Sequence, residues 1–291
     1  MDKKALIKYL LALLLFGSNG FVASFISLTS YETVMTRSVL GSVLLIALYF
    51  LTGHRLDFLR HKRDLAFIAL SGIAMAADWL FLFEAYTRIG VSLSILINYF
   101  GPAIVIALSP LVLQERIQPR KVAALAAAIV GVVLVSGSAA VEGLNLWGLA
   151  CAILSAASYA AMVLANKKAE RVTGMDNSLV QLFVTMLTVV LFVGAKQGLY
   201  IPVKTGELLP ILWLGLVNTG VGCYFYFSSI GRISAQSVGV LGYLEPLSGV
   251  LLASLLLGEQ MTALQAAGAV LIIGGALFGE LAKPKKGRLS A

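Results

Sequence analysis

Long apolar segments separated by short charged loops are the feature that most constrains the fold of this chain. A helix needs about 20 apolar residues to cross the hydrocarbon core of a bilayer, and only 12% of the 291 residues are charged. A soluble domain would carry roughly twice that charged fraction. The sequence therefore predicts an all-α integral membrane protein. Ten transmembrane helices are predicted near residues 5–26, 31–52, 64–86, 91–113, 121–138, 146–166, 178–196, 209–230, 235–257 and 264–281.

The basic residues are distributed unevenly between the loops. With the N-terminus placed inside, the predicted cytoplasmic segments hold eighteen of the 22 Lys and Arg residues, including the cluster at 283–288. The predicted outer loops hold only Arg88, Lys196 and Lys204. Because cytoplasmic loops of membrane proteins carry the excess of Lys and Arg, we expect both termini in the cytoplasm. The same rule explains the net charge of +8, so we expect membrane lipid rather than nucleic acid as a partner.

The sequence contains an internal repeat. The stretch from Arg88 to Gly131 is matched, without a gap, by the stretch 144 residues further on. Apolar matches between two membrane helices occur readily by chance, whereas shared Arg, Tyr, Pro and Glu in one register do not. We interpret the chain as a duplicated unit, with one half at 1–139 and the other at 140–291. The shared residues are Arg88 and Arg232, Tyr99 and Tyr243, Pro102 and Pro246, and Glu115 and Glu259.

The predicted topology sets the orientation of the two halves in the membrane. Five helices per half is an odd number, so the second half would enter the bilayer from the opposite face. Inverted five-helix repeats are typical of secondary transporters, which place a substrate site near the midplane and expose it to each side in turn. The paired prolines remove one backbone hydrogen bond from each half, which leaves a hinge or a static kink as alternatives.

Several motifs resemble the ten-helix EamA-type branch of the drug/metabolite transporter superfamily. The residues that carry the resemblance are 244–246, 255–259 and 265–275, with Phe16-Gly17 and Arg37 in the first two helices. The resemblance implies a secondary carrier of amino acids, amines or other small metabolites in a bacterial inner membrane, with a central cavity lined by both halves. Family precedent favours export, and import of a quaternary amine is the alternative among transporters.

Polar residues of six predicted helices reach similar depths in the bilayer. Counting about 1.5 Å per residue places Asn19, Arg37, Asp78, Trp79 and Asn98 roughly 9 to 12 Å from the outer ends of their helices. The same count places Asn218 and Glu245 near the middle of the bilayer. Such groups are costly in lipid and are expected to face a cavity. We therefore predict substrate contacts from Asn19, Arg37, Asp78, Trp79, Asn98, Asn218 and Glu245.

Three carboxylates are candidates for proton coupling. Asp78 is the first choice, because loss of hydration favours the protonated form of a carboxyl group. A fixed ion pair with Arg37 is the structural alternative for Asp78. Glu245 is either a second proton site or a brace for the bend at Pro246. Glu84 lies four residues before Arg88, a spacing that favours a helical ion pair at the rim.

Aromatic residues inside the predicted spans complete the candidate site. Interfacial belts explain Trp and Tyr near helix ends, but not those near the middle. Aromatic faces around a carboxylate bind ammonium groups well, while ordinary helix packing is the alternative for each ring. The candidates beside Trp79 are Tyr99, Tyr159, Tyr224 and Tyr243, and Tyr226 also lies inside its span.

Other classes of function fit the sequence less well. His54 and His61 lie in a basic loop without a metal-binding pattern, and no phosphate-binding loop is present. We therefore expect neither an enzyme nor a cofactor. A channel and a membrane-embedded enzyme are the alternatives to a carrier of a small-molecule substrate. Small residues at Ala123, Ala127 and Gly131 predict close helix packing or a homodimer contact.

Overall fold

The computed structural model describes residues 2–136, 145–257 and 262–281, and within these ranges every regular element is a helix. Three sequence predictions lie outside the described residues: the repeat residue Glu259, the junction at 139/140 and the basic cluster at 283–288. In chain order the α-helices are α1 (Lys3–Gly17), α2 (Asn19–Ala23), α3 (Ser30–Leu51), α4 (Lys62–Ile89), α5 (Val91–Asn98), α6 (Gly101–Leu113), α7 (Pro119–Ser136), α8 (Leu146–Lys167), α9 (Gly174–Gln197), α10 (Leu208–Leu212), α11 (Gly222–Ile230), α12 (Ala235–Gly242), α13 (Leu244–Leu257) and α14 (Ala263–Leu281).

Helices occupy all ten segments that the sequence predicts as spans. Among the described residues, seven runs are long and apolar enough to cross a membrane. The other three predicted segments hold α7, the pair α12 and α13, and α14, whose strongly apolar part, Ala266–Gly279, is shorter than a full span. The seven runs are Lys3–Ala23, Ser30–Leu51, Lys62–Ile89, Leu93–Leu113, Leu146–Lys167, Gly174–Gln197 and Thr205–Ile230.

Two predicted spans are broken at matching positions. The chain leaves the helix at Tyr99 between α5 and α6, and 144 residues later at Tyr243 between α12 and α13. Pro102 and Pro246 fall in the first turn after each break, where a backbone N–H has no partner in the helix and its absence is tolerated. The prolines therefore begin new helices. The Tyr243 hydroxyl donates a hydrogen bond to the Tyr99 carbonyl at 2.6 Å and joins the two breaks.

The eighth predicted span contains a different irregularity. A π-helical stretch, Trp213–Val221, joins α10 to α11. In it the Thr219 hydroxyl donates to the carbonyl of Leu214, five residues earlier, at 2.8 Å. π-Helical turns are rare and frequently occur at functional sites. This stretch packs against α3 and α1 at the depth of the polar residues.

The stripe of small residues on α7 packs against α14 of the same chain. A Cβ atom added to Gly131 would lie 2.7 Å from the Gly268 carbonyl oxygen, and one added to Gly275 would lie 3.0 Å from the Ala124 carbonyl oxygen. Ala124 is fully buried in this contact, whereas Ala123 is exposed. Ala127 and Gly131 of the predicted stripe therefore take part in this contact within the chain, as the packing alternative expects, and Ala124 rather than Ala123 continues it.

Helix α4 packs against α8 and α9 in the core. Cys151 and Cys223 are buried and free, as expected of core residues in a chain without a disulfide framework. The Ser71 hydroxyl of α4 donates to the Met162 carbonyl of α8 at 2.8 Å, and Gly72 of α4 lies against Val184 of α9. These contacts fix α4, which carries Asp78, between two neighbouring helices.

Candidate functional site

A cavity of about 760 Å³ lies between helices of both halves of the sequence. It opens on the face that carries the exposed Gly20 and the turn at residues 24–29. Asp78 from α4, Arg37 from α3 and Glu245 from α13 are the charged residues in its wall. Eight residues predicted to contact substrate line the cavity: Asn19, Arg37, Asp78, Trp79, Asn98, Tyr99, Tyr159 and Glu245.

Described residues donate hydrogen bonds to only one of the two carboxylate oxygens of Asp78. Its Oδ1 atom accepts hydrogen bonds from Asn98 Nδ2 at 2.9 Å and from the Ser155 hydroxyl at 2.6 Å. Asn98 also donates to Ser155 at 2.6 Å, which closes a three-residue network across α4, α5 and α8. Oδ2 has no hydrogen bond from a described residue and is not sealed away from the cavity. One oxygen therefore orients the carboxyl group, and the other is available to a bound molecule.

Arg37 does not pair with Asp78. Its Nε atom donates to the Thr219 hydroxyl of the π-helical stretch at 2.8 Å, and its guanidinium stacks over the Trp79 ring at 4.6 Å. Among the described residues, no carboxylate lies within ion-pair distance of Arg37. The fixed Asp78–Arg37 ion pair that the sequence left open is therefore absent, and both groups face the cavity.

Glu245 lies at the start of α13, directly after the break at Tyr243. Acidic side chains are favoured in the first turn of a helix because the unpaired N–H groups create a positive potential there. No described residue donates a hydrogen bond to its carboxylate, which lines the cavity. Its backbone carbonyl is held by the Ser248 hydroxyl at 2.7 Å. The main chain at this position is fixed, whereas the carboxylate is free to bind a cation or a proton.

Tyrosines close the end of the cavity opposite its mouth. The Tyr159 and Tyr226 hydroxyls lie 3.4 Å apart, and the Tyr226 ring packs against that of Tyr9 at 5.3 Å. The Tyr9 hydroxyl donates to the Val238 carbonyl of α12 at 2.8 Å. Behind this tyrosine floor, Glu115 accepts a hydrogen bond from the backbone N–H of Ala235 at 2.9 Å. A second layer of polar contacts thus holds the start of α12 against the loop before α7.

Three residues predicted to contact substrate lie outside the cavity wall. Asn218 donates from its Nδ2 atom to Ser18, Asn19 and the Leu15 carbonyl, so it ties the π-helical stretch to the end of α1. Tyr224 lies beside Lys8, whose Nζ is 4.8 Å from the centre of its ring. Tyr243 is fully buried and joins the two helix breaks. For these residues, depth in the bilayer did not predict contact with the cavity.

Glu84 also lies away from the cavity wall, at the rim. It forms the predicted pair with Arg88 at 3.0 Å and a second pair with Lys196 at 3.3 Å. The Tyr31 hydroxyl also donates to Glu84. This cluster joins the ends of α3, α4 and α9, so the structure favours the interpretation of Glu84 as rim structure over a role in proton coupling.

Several residues of the site were not predicted from the sequence. Tyr86 lines the cavity, and Ser155 and Thr219 orient the charged residues in its wall. Tyr226, which the sequence places inside a span, also lines the cavity. Ser155 lies four residues before Tyr159, a spacing that puts both on one helix face, so this signal was available. Among the described residues, no group of three or more His, Cys, Asp and Glu is placed to hold a metal ion.

Long apolar helices around a largely apolar cavity that holds a few charged residues are typical of a membrane transport protein. The comparison with family models agrees. The chain belongs to the EamA-like transporter family, whose model matches residues 3–137 and again residues 146–279. The resemblance to the drug/metabolite transporter superfamily is therefore confirmed, and the chain is a multi-pass membrane transporter.

Individual relatives support this assignment, and one solved structure shares the fold. An uncharacterized transporter of Bacillus subtilis, YxxF, is 23% identical over 93% of this chain and 88% of its own length. A probable amino-acid metabolite efflux pump of Salmonella typhimurium is 33% identical over 58% of this chain and 60% of its own length. A solved crystal structure with 20% identity superposes with a TM-score of 0.83 over 97% of this chain and 99% of that one, and it supports the fold alone.

Proposed function

We propose that this protein is a secondary active exporter of a small amine-bearing metabolite, such as an amino acid or an organic cation, and that proton movement drives it. In this proposal ten helices cross a bacterial inner membrane as two inverted halves, 1–139 and 140–291, with both termini in the cytoplasm. The cavity then faces the outside of the cell. Alternating access would carry its contents between this state and one that opens to the cytoplasm.

The observation that carries the proposal is the pair of open carboxylates in an aromatic cavity. Neither the second carboxylate oxygen of Asp78 nor the Glu245 carboxylate accepts a hydrogen bond from a described residue. Trp79, Tyr99 and Tyr159 line the same space. Carboxylates together with the negative faces of aromatic rings form a favourable site for an ammonium group. The efflux-pump name of the Salmonella relative supports the same class of substrate.

The same carboxylates support coupling to protons. A carboxylate withdrawn from bulk water needs a cation or a proton for its stability. An amine and a proton would therefore compete for Asp78, and each carboxylate would release one when it takes up the other. Such competition is the chemical requirement for an exchanger. The free carboxylate of Glu245, 167 residues further along the chain, would serve as the second proton site.

The closed end of the cavity favours a carrier over a channel. The tyrosine floor, formed by Tyr9, Tyr159 and Tyr226, separates the cavity from the opposite face, and the contact between Glu115 and Ala235 lies behind it. Transport through this site would require the floor to open while the mouth closes. The matched helix breaks at Tyr99 and Tyr243 are the positions at which two helices would bend.

Coupled flux in proteoliposomes tests the role of Asp78. We expect Asp78→Asn to abolish proton-driven amine movement, because the amide cannot exchange a proton, while the melting temperature in detergent stays near that of the wild type. Glu84→Gln is the matched control, since that carboxylate lies at the rim, and it should retain flux. Wild-type coupled flux in the Asp78 variant would refute the assignment. Flux that rises linearly with substrate, without saturation, would instead favour a channel.

A further inference from the structure

Arg37 has hydrogen-bond donors that the protein does not use. Of the five N–H groups of a guanidinium, only Nε–H is bonded to a described residue, the Thr219 hydroxyl at 2.8 Å. Arg37 is only 9% exposed, yet its two terminal nitrogens are not sealed off from the cavity that it lines. A buried cation without a carboxylate partner is unfavourable. The missing partner therefore points to an anionic group that arrives with a bound molecule.

We propose that Arg37 recognises the carboxylate of the substrate, so that the site selects zwitterionic amino acids over simple organic cations. This inference rests on the proposed function and narrows it to one of the two substrate classes. The guanidinium fork matches a carboxylate through two parallel N–H···O bonds. The ammonium group of the same molecule would lie at Asp78 or Glu245, which keep unpaired carboxylate oxygens in the same cavity.

The surroundings of Arg37 hold one edge of the guanidinium in place. Thr219 accepts the Nε–H bond while its own hydroxyl donates to the Leu214 carbonyl at 2.8 Å, which orients the acceptor. The Trp79 ring lies 4.6 Å from the guanidinium carbon and fixes the plane of the group through cation–π stacking. The other edge of the guanidinium, which carries the two terminal nitrogens, faces the cavity. A rigid fork binds a planar carboxylate with little loss of side-chain entropy.

Charge balance within the cavity favours the same class of substrate. Arg37 carries a positive charge, and Asp78 is held by Asn98 and Ser155 and forms no ion pair with Arg37. A simple cation at Asp78 would leave Arg37 without an anion and add a second positive charge nearby. When Glu245 holds a proton, as the proposed coupling requires, a zwitterion supplies one opposite charge to each of the two remaining charged groups, Arg37 and Asp78. Because like charges at close range in a poorly hydrated site repel strongly, amines without a carboxylate should bind more weakly.

Matched probes test this inference on the wild-type protein without any substitution. The purified full chain is titrated with leucine and isoamylamine, with phenylalanine and phenethylamine, and with lysine and cadaverine, while thermal shift and calorimetry are followed. Phenylalaninamide serves as the probe that keeps the shape and the amine but lacks the carboxylate. We expect at least one amino acid to bind roughly 10- to 100-fold more tightly than its partner amine, the factor for a charged hydrogen-bonded pair. Equal binding within every pair would overturn the inference.

Two variants separate recognition from a structural role. Arg37→Gln should weaken binding of the amino acid by roughly 10- to 100-fold and leave the partner amine unchanged or tighter. Arg37→Lys keeps the charge but not the fork, so it should recover only part of the loss. Equal weakening of both probes, together with a large drop in melting temperature, would assign Arg37 to folding and overturn the inference. If no amine-bearing compound binds the wild type, the proposed function itself fails; if amines bind without preference for a carboxylate, only this inference fails.

Discussion

Gly17 is the position where a single methyl group should disturb both the packing and the site. A Cβ atom added there would lie 1.8 Å from the Ser248 hydroxyl oxygen, 2.7 Å from the Glu245 carbonyl oxygen and 3.0 Å from the Gly249 nitrogen. The hydroxyl can rotate away, but the carbonyl belongs to the backbone of α13. In Gly17→Ala the end of α1 must therefore move away from the first turn of α13, until the 2.7 Å contact reaches about 3.4 Å.

The expected loss of stability in Gly17→Ala is the sum of two costs. Rotation of Ser248 gives up its 2.7 Å hydrogen bond to the Glu245 carbonyl, a loss of about 1 kcal/mol. Overpacking of a tight contact costs about 1–3 kcal/mol. We therefore expect Gly17→Ala to lower the free energy of unfolding by about 2–4 kcal/mol. At roughly 2–4 °C per kcal/mol for a chain of a few hundred residues, the melting temperature should fall by about 4–16 °C.

Thermal melting in detergent and amine binding are the two measurements. Gly20→Ala is the matched control, because Gly20 lines the same cavity three residues later and a Cβ atom there meets nothing within 4 Å. The control should melt at or slightly above the wild-type temperature. Gly17→Ala should also weaken amine binding, since the displaced turn carries Glu245. Wild-type melting and wild-type binding in Gly17→Ala would refute the close approach of α1 and α13.

Three further predictions concern other contacts of the fold and the site. Gly131→Ala should destabilise the chain by about 1–3 kcal/mol in detergent unfolding, because the added Cβ would lie 2.7 Å from a carbonyl oxygen of α14; an unchanged melting temperature would contradict this packing. Ser155→Ala should weaken amine binding roughly 10-fold in calorimetry, since Asp78 loses a donor at 2.6 Å, and undiminished affinity would contradict that role. The hydrogen bond from Arg232 lowers the pKa of Asp2, so this tie stabilises the fold at neutral pH and is lost as the pH falls through the lowered value. The difference in melting temperature between the wild type and Asp2→Asn should disappear in acid, and a constant difference would refute it.

The positions of the helices could be predicted from the sequence because one physical rule governs them. Backbone polar groups in lipid must be satisfied within a segment, so each long apolar run becomes a helix. The breaks were harder to place. The sequence pointed to Pro102 and Pro246, whereas the helices end before them, at Tyr99 and Tyr243. A proline is compatible with the first turn of a helix as well as with a kink, and the residue alone does not distinguish the two.

The sequence predicted how deep the candidate side chains lie in the bilayer, but not which side of its helix each one faces. Counting residues along a helix gives the height of a side chain in the bilayer, while each residue also turns by about 100° around the axis. Tyr224 and Tyr226 differ little in height, yet Tyr226 lines the cavity and Tyr224 packs beside Lys8. The spacing to Tyr159 could place Ser155 on the same helix face, but it could not predict that Ser155 would orient Asp78, because that contact spans 77 residues and depends on how α4 and α8 pack. Information of this kind comes only from tertiary structure.

The hydrogen bond from the Tyr243 hydroxyl to the Tyr99 carbonyl has a mechanical consequence. It fastens the two interrupted helices to each other at the points where each is most easily deformed, so the displacement of one is transmitted to the other. We expect the two interrupted helices to rearrange in one concerted step with a single rate. Tyr243→Phe would uncouple them, and two separate relaxation rates should then become measurable.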